Sequence, residues 1–246
     1  AMAGHSKWKT IKHAKAATDA KRGAIFTKLI REITVAAKGG GGDPGGNPRL
    51  RTAIDTARAQ SMPKENIDRA VKKGTGELEG VEYTEITYEA YGPGGVALMI
   101  QALTDNPTRT VADVRAKLTR NGGNLGTSGS VAFMFDRRGR IYLPAAGDED
   151  AMMEVALDAG ASDFAREDET FAITTELADL HAVKEALEAK GLKISEARLE
   201  WIPQSTVHVT GDDATTLVKL LDVLEDLDDI QNVEGNFDID TSALDD

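Results

Sequence analysis

The chain has 246 residues, no cysteine and a formal net charge of −12. That length allows two or three compact domains, and the lack of thiols excludes disulfide scaffolds, thiolate zinc sites and cysteine nucleophiles, in keeping with a reducing compartment. Hydrophobic residues make up 41% and aromatic residues 5%, the composition of a soluble globular chain. No apolar run approaches the roughly 18 residues of a membrane span, and no apolar stretch follows the early lysines as a secretory signal would require. Ala1 ahead of Met2 is read as a cloning remnant and set aside.

Taken in chain order, residues 6–17 predict a short basic helix with Ser6 as N-cap. Asp19 to Lys38 predicts an amphipathic helix. Ile25, Phe26, Leu29, Ile30, Ile33, Ala36 and Ala37 fall within an arc of about 140° at about 100° per residue, with Lys21, Lys28, Arg31 and Lys38 opposite. The glycines and prolines of 39–48 predict a mobile loop. Helical spacing resumes over 49–60, and a further helix is expected from Pro63 to a C-terminal cap at Gly74. Strands follow at 85–91 and 96–104 around a Gly-Pro-Gly-Gly turn, then a helix at 108–121 and a glycine-rich loop at 121–130. Residues 131–135 and 140–143 predict a hairpin around Arg138-Gly139. Further on come a helix at 148–159, a hairpin at 162–175, a helix at 177–190 and a strand at 192–202 ended by Pro203. The last elements are a strand at 206–210, a helix at 212–227 and a strand at 230–239.

The expected fold is a multi-domain α and α+β protein. An all-helical N-terminal domain, 1–78, precedes two α/β sandwich domains of ferredoxin-like type. One is discontinuous, from 79–130 and 204–246, and the other, 131–203, is inserted in it; a purely sequential division is the alternative.

Most chemical motifs fail on context. Gly40, Gly42 and Gly45 satisfy G-x-G-x-x-G, but a helix precedes them where a dinucleotide site needs a strand. There is no Walker-type phosphate loop. Ser128 lacks the nucleophile-elbow pattern and a placed base. His5, His13, His181 and His208 have no zinc spacing, and Asp222, Glu225, Asp226, Asp228 and Asp229 lack the order of a calcium loop. No enzyme activity, metal or cofactor is expected.

Charge is what remains. Residues 1–76 carry 16 Lys+Arg against 6 Asp+Glu, a net +10, and the rest of the chain carries −22. Such asymmetry marks an interaction surface. Lys7, Lys9, Lys12, Lys15, Lys21, Arg22, Lys28 and Arg31 cluster within it, with Trp8 among them as a residue able to stack on a base. A solvated helix face with Trp8 in the core is the competing reading. A second patch, Arg109, Arg115, Lys117 and Arg120, leads into the 121–130 loop, whose glycines would allow a phosphate close to the backbone.

Several segments carry a resemblance. Gly4-His5-Ser6-Lys7-Trp8, Ile11-Lys12-His13, Asp19-Ala20-Lys21-Arg22-Gly23 and the run from Phe26 to Ile33 resemble the opening of the YebC/PmpR family. GGGGDPGGNPRLRTAI (39–54), MPKENIDRAVKKG (62–74), YEAYGPGGVA (88–97), LTDNPTRT (103–110) and GGNLGTSGSVAF (122–133) continue the match in order. The resemblance implies three domains, one helical and two α/β, and a cytoplasmic, non-enzymatic protein. It also implies a nucleic-acid partner: DNA for the transcriptional regulators of the family, ribosomal RNA and the ribosome for relatives acting in translation, such as the mitochondrial translational activator of cytochrome oxidase. A DNA-binding transcriptional regulator is the leading expectation, a ribosome-associated translation factor the second, a protein–protein adaptor the third. The expected contacts are Lys7, Trp8, Lys9, Lys12, His13, Lys15, Lys21, Arg22, Lys28, Arg31, Arg49 and Arg51. No membrane partner is expected, and a monomer is expected over an obligate oligomer.

Overall fold

The computed structural model of the protein describes residues 19–239, with side chains from residue 22 onward. The helix expected over 6–17 lies outside the described residues. A helical N-terminal region is followed by two α/β domains built on antiparallel sheets. The chain divides into two compact units. Among the described residues, one holds 19–32, 79–136 and 201–239; the other holds 33–78 and 137–200.

Helix α1 (Asp19–Gly40) contributes to both units. Its apolar stripe buries Ile33, Ala36 and Ala37. It runs two residues past Lys38 and ends before Gly41, whose φ of 92° places it in the left-handed region that suits glycine. The glycine-proline segment that follows, expected to be mobile, is held by one side chain. Buried Asn47 donates from Nδ2 to the Ala36 and Gly41 carbonyls at 2.7 and 2.8 Å, while its Oδ1 caps α2 (Pro48–Ala59) by accepting from Leu50 N. An asparagine with both ends of its amide engaged fixes the loop to the helices on each side of it.

Helix α3 (Lys64–Thr75) corrects the reading of Gly74. The left-handed cap is Gly76, at φ 85°, and Gly74 lies inside the helix. There it provides room for a close helix crossing. A Cβ on Gly74 would collide with the Thr34 carbonyl oxygen and lie 2.8 Å from the Ala37 Cβ. Thr34 Oγ1 reinforces the crossing by donating to the Ala70 carbonyl at 3.2 Å.

In the first unit, β1 (Thr84–Gly92) and β2 (Val96–Thr104) form the expected hairpin, with Gly94 and Gly95 at positive φ in the turn. After α4 (Pro107–Arg120), the short β3 (Asn124–Leu125) pairs with β1. Strand β9 (Ile230–Gly235) pairs antiparallel with β2, giving the order β3-β1-β2-β9. Leu98 and Ile100 of β2 meet Val114 and Leu118 of α4 and Leu217 and Leu221 of α7 (Gly211–Glu225). The opposite face, Ala97 and Met99, is covered by Val131, Phe135 and Trp201. Burial on both faces explains why β2 reads as a nearly continuous apolar run, interrupted at Gln101. The strand expected over 230–239 breaks at Asn236. Its side chain accepts from Ala97 N and its carbonyl accepts from Val207 N, which lets β10 (Phe237–Ile239) leave the sheet and pair in parallel with β8 (Val207–Val209).

The second unit contains β4 (Phe135–Pro144), α5 (Glu149–Asp158), β5 (Asp163–Glu167), β6 (Thr170–Thr175), α6 (Leu180–Ala189) and β7 (Glu196–Pro203), of which the ends of β4 and β7 belong to the first. The β-α-β-β-α-β order with strands arranged β5-β6-β4-β7 is the ferredoxin-like arrangement. Ile141, Leu143, Phe171 and Ile173 face Val183 and Leu187 in its core. The hairpin expected around Arg138-Gly139 does not form, because both residues lie within β4. Gly139 pairs opposite Thr175, and a Cβ there would strike Thr175 Oγ1 and come within 2.9 Å of Leu180 Cβ. Here too a glycine marks close packing and not a turn.

Replacing Gly74 with Ala gains about 1 kcal/mol of helix propensity, yet crowding the crossing should produce a net loss of about 1–2 kcal/mol. Urea denaturation of Gly74→Ala reads this directly, and a variant more stable than wild type would show that the helices separate at no cost.

Candidate nucleic-acid interface

The cations expected to face a polyanion divide by what they touch. Arg31, on the first half of α1, turns inward. Its Nη1 donates to the Leu103 carbonyl at 2.8 Å and to Asp229 Oδ1 at 2.9 Å, and its guanidinium lies 5.0 Å from the centre of the Tyr83 ring. Only 12% of the side chain is exposed. Lys28 donates to the Glu225 carbonyl at the C-terminal end of α7, where the helix dipole favours a cation, and Gln231 Nε2 donates back to the Lys28 carbonyl at 2.9 Å. Arg109 forms a two-pronged pair with Asp229, Nε to Oδ2 at 3.1 Å and Nη2 to Oδ1 at 2.7 Å, and also reaches Asp105. These three residues anchor α1, α4 and α7 around one sheet edge.

Asp229 is the centre of that cluster. It receives Arg31, both prongs of Arg109 and the Thr110 hydroxyl at 2.7 Å, with its side chain 8% exposed. Burial pushes its carboxyl up, but the hydrogen bonds from Arg109, Thr110 and Arg31 outweigh it and hold the pKa below the ordinary carboxylate value.

In the second unit, Arg51 donates to the Pro44 carbonyl at 2.7 Å and pairs with Glu185, and Arg49 is half-buried. His181 meets the Thr52 hydroxyl at 2.8 Å, and burial together with Lys184 and Arg51 lowers its pKa, so the ring is neutral near pH 7. Lys7, Trp8, Lys9, Lys12, His13 and Lys15 lie outside the described residues, as does the side chain of Lys21. Arg22 is exposed. Arg115 and Arg120 are exposed on α4, and Lys117 is half-buried.

Helix α3 presents cations that the sequence reading passed over. Arg69, Lys72 and Lys73 are exposed at i, i+3 and i+4, opposite buried Ile67 and Ala70. Arg58 at the end of α2 and Lys64 at the start of α3 are also exposed, the latter in a loose 3.9 Å pair with Asp68. The helical spacing of the KENIDRAVKK segment would have revealed this face.

The glycine-rich loop is tied down from within the protein. Buried Glu89 on β1 reaches into it, accepting from Gly129 N at 2.5 Å with Oε2 and from Val131 N at 3.0 Å and Ala132 N at 2.7 Å with Oε1. Burial raises its pKa, but the three backbone donors prevail and hold it below the usual carboxylate range. Gly126 N also donates to the Glu89 carbonyl at 2.8 Å. The Gly129 amide of this loop and the two amides just after it are thus filled by a carboxylate of the protein itself.

Two family descriptions match the chain in succession: the TACO1/YebC protein N-terminal domain over residues 6–77 and the TACO1/YebC second and third domain over 83–237. The chain belongs to the TACO1/YebC family. A relative from Gemmatimonas aurantiaca is 66% identical over 244 residues, covering 99% of both chains, and one from Acidithiobacillus ferrooxidans is 57% identical, covering 97% of this chain and 95% of its own. Both are named probable transcriptional regulatory proteins, so the family's names are those of regulators and not of enzymes. The crystal structure of a conserved hypothetical protein, Aq1575 from Aquifex aeolicus, superposes with a TM-score of 0.85 at 49% identity, covering 90% of this chain and 92% of that one. Among the described residues of this TACO1/YebC protein, no helix is long and apolar enough to cross a membrane.

Removing Asp229 strands two arginines around a buried edge, so Asp229→Ala should cost about 3 kcal/mol at neutral pH, read by chemical denaturation. Its folded carboxyl titrates below the free value of 3.8, so the stabilisation is present above that value and vanishes as pH falls through the folded one. The gap between wild type and variant should therefore close on acidification below about pH 4. A gap that stays constant through that range would mean that the carboxylate charge does not hold the cluster.

Proposed function

We propose that this protein is a regulator of gene expression that binds nucleic acid through its basic helical end, with DNA-directed control of transcription as the leading reading. The observation that carries it is the segregation of charge, +10 over residues 1–76 against −22 over the remainder. A polyanion is attracted to the basic segment and repelled by the acidic remainder of the chain. The contacts proposed are Lys7, Lys9, Lys12, Lys15, Lys21 and Arg22, joined by Arg69, Lys72 and Lys73 of α3, with Trp8 and His13 at bases or sugars. Lys28, Arg31 and Arg51 bond to groups of the protein itself and support the fold of the interface. The three-part division into 1–78, 79–130 with 204–246, and 131–203 is proposed as the functional organisation, and the cytoplasm as its location.

The names of the relatives support a regulatory role. A second reading, a translation factor on ribosomal RNA, is favoured by one feature. The face of α3 is made of Lys and Arg, while Asn66, its main base-reading amide, is half-buried. Phosphates placed by shape, as on structured RNA, suit such a face better than a base sequence does.

On duplex DNA, log K should fall against log salt by about 0.9 for each phosphate contact. Changing Lys21 and Arg22 to Ala should flatten that slope by up to roughly 1.8, and changing Arg69, Lys72 and Lys73 by up to roughly 2.7. An unaltered slope and affinity in either variant would falsify the assignment of those residues. Sedimentation of a cell extract through sucrose, with and without RNase and DNase, separates the two readings: cosedimentation with ribosomes that survives DNase supports translation, and a nucleoid pool released by DNase supports transcription.

A further inference from the structure

Helix α5 carries an apolar pair that its own packing does not use. Ala156 is buried, and Met152, Val155 and Ala159 pack partly buried on the core of the second unit. Met153 and Leu157 lie on a different side of the helix, one turn apart, 37% and 48% exposed. Among the described residues no other helix offers two large apolar side chains this exposed. Single exposed apolar residues are ordinary on a protein surface. A pair at i, i+4 is different, because the two side chains adjoin and form one patch.

A row of carboxylates runs beside that patch. Asp150, Glu154 and Asp158 follow one another at i, i+4 and i+8, and all three are exposed. The helix does not need the whole row for its own stability. Asp148 caps it by accepting from Asp150 N at 3.0 Å, and an acid in the first turn suits the helix dipole. Asp158, however, ends the helix where the dipole disfavours negative charge, and like charges at i, i+4 repel. No cation relieves them. The sequence has no Lys or Arg between Arg140 and Arg166, and among the described residues none of the three carboxylates is in an ion pair, with Lys190 or Lys193 beyond α6 or with any other group.

Charge identifies the kind of partner. A solvated acidic face on an acidic chain accounts for the carboxylates alone, but it does not account for a methionine and a leucine set along the same row. Acidic flanking groups repel a nucleic-acid strand and an anionic lipid surface alike. Apolar side chains at i, i+4 with a parallel row of carboxylates are the complement of an amphipathic helix that has apolar residues on one stripe and Lys or Arg at the same spacing beside it. Methionine suits such a contact, since its flexible thioether fits itself to the side chains it meets.

We propose that the outer face of α5 docks a basic amphipathic helix of a second protein, with that helix's apolar stripe on Met153 and Leu157 and its cations on Asp150, Glu154 and Asp158. This surface goes beyond the nucleic-acid reading and stands without it, being acidic where that interface is basic. It gives the acidic part of the chain a partner of its own, a basic protein, while the basic segment takes the nucleic acid.

The test uses the full chain, nuclease-treated, and two fluorescein-labelled peptides of about 16 residues with the same number of lysines. One has leucines at helical i, i+3, i+4 spacing and the other has serines in their place. Wild type should bind the leucine peptide at least about tenfold more tightly than the serine peptide. Met153→Ala with Leu157→Ala should remove most of that difference and leave the salt dependence as in wild type. Glu154→Gln with Asp158→Asn should weaken both peptides and flatten their salt dependence. Both variants should keep the wild-type denaturation midpoint, since alanine and glutamine are good helix formers and the face is not packed. Equal binding of the two peptides overturns the proposal, because an acidic cluster attracting lysine would then suffice. So does wild-type affinity for the leucine peptide in Met153→Ala with Leu157→Ala, which would put the peptide elsewhere on the chain, and so does a lowered midpoint in that variant, which would assign the pair to the fold. Both variants should bind duplex DNA as wild type does, so failure at α5 and failure of the nucleic-acid reading are separate results.

Discussion

A single buried carboxylate organises one edge of the first sheet. Asp229 precedes β9 and draws together Arg31 from α1, Arg109 and Thr110 from α4 and, through its own backbone carbonyl, Leu103 N at the end of β2. Leu103 in turn gives its carbonyl to Arg31. A carboxylate removed from water would be destabilising by itself; two guanidinium groups and a hydroxyl occupying its oxygens make it tolerable and, more importantly, directional. Apolar packing of Leu98, Ile100, Leu217 and Leu221 supplies most of the driving force for this unit, but it has no preferred angle at which α1 should meet the sheet. The charged cluster does.

That arrangement also separates two classes of cation on a basic helix. Arg31 and Lys28 carry positive charge that the fold uses, and Arg22 carries charge that faces solvent. Both classes look alike in a charge count. The net +10 of residues 1–76 is therefore an upper bound on the charge offered to solvent, and the exposed Arg69, Lys72 and Lys73 of α3 supply a larger share of it than the count along α1 suggests.

Local signals are legible in the sequence and distant ones are not. The β1–β2 hairpin was legible because Gly-Pro-Gly-Gly admits the positive φ values found at Gly94 and Gly95. The start of α2 was legible because Asn47-Pro48 combines a cap with a first-turn proline. Gly74 and Gly139 mislead for one shared reason: each looks like a turn or cap residue, whereas each makes room for a neighbour remote in sequence, the Thr34 carbonyl and Thr175. The direction of Arg31 and Arg109 depends on Asp229, well over 100 residues away, and no periodicity encodes such a pairing. Glu89 was invisible in the same way. It reads as one polar residue in an alternating strand, and its role exists only once the 126–132 loop folds back over it.

Glu89 also bears on the thermodynamics of recognition. A glycine-rich segment left loose until a partner arrives would lose backbone entropy at the moment of binding, on the order of 1–2 kcal/mol for each residue fixed. By engaging three amides of the loop within the free protein, Glu89 moves that entropy loss into folding, where the cores of the domain offset it. The loop is therefore held in one conformation in the free protein, and any partner that touched it would meet a surface whose backbone needs no further ordering.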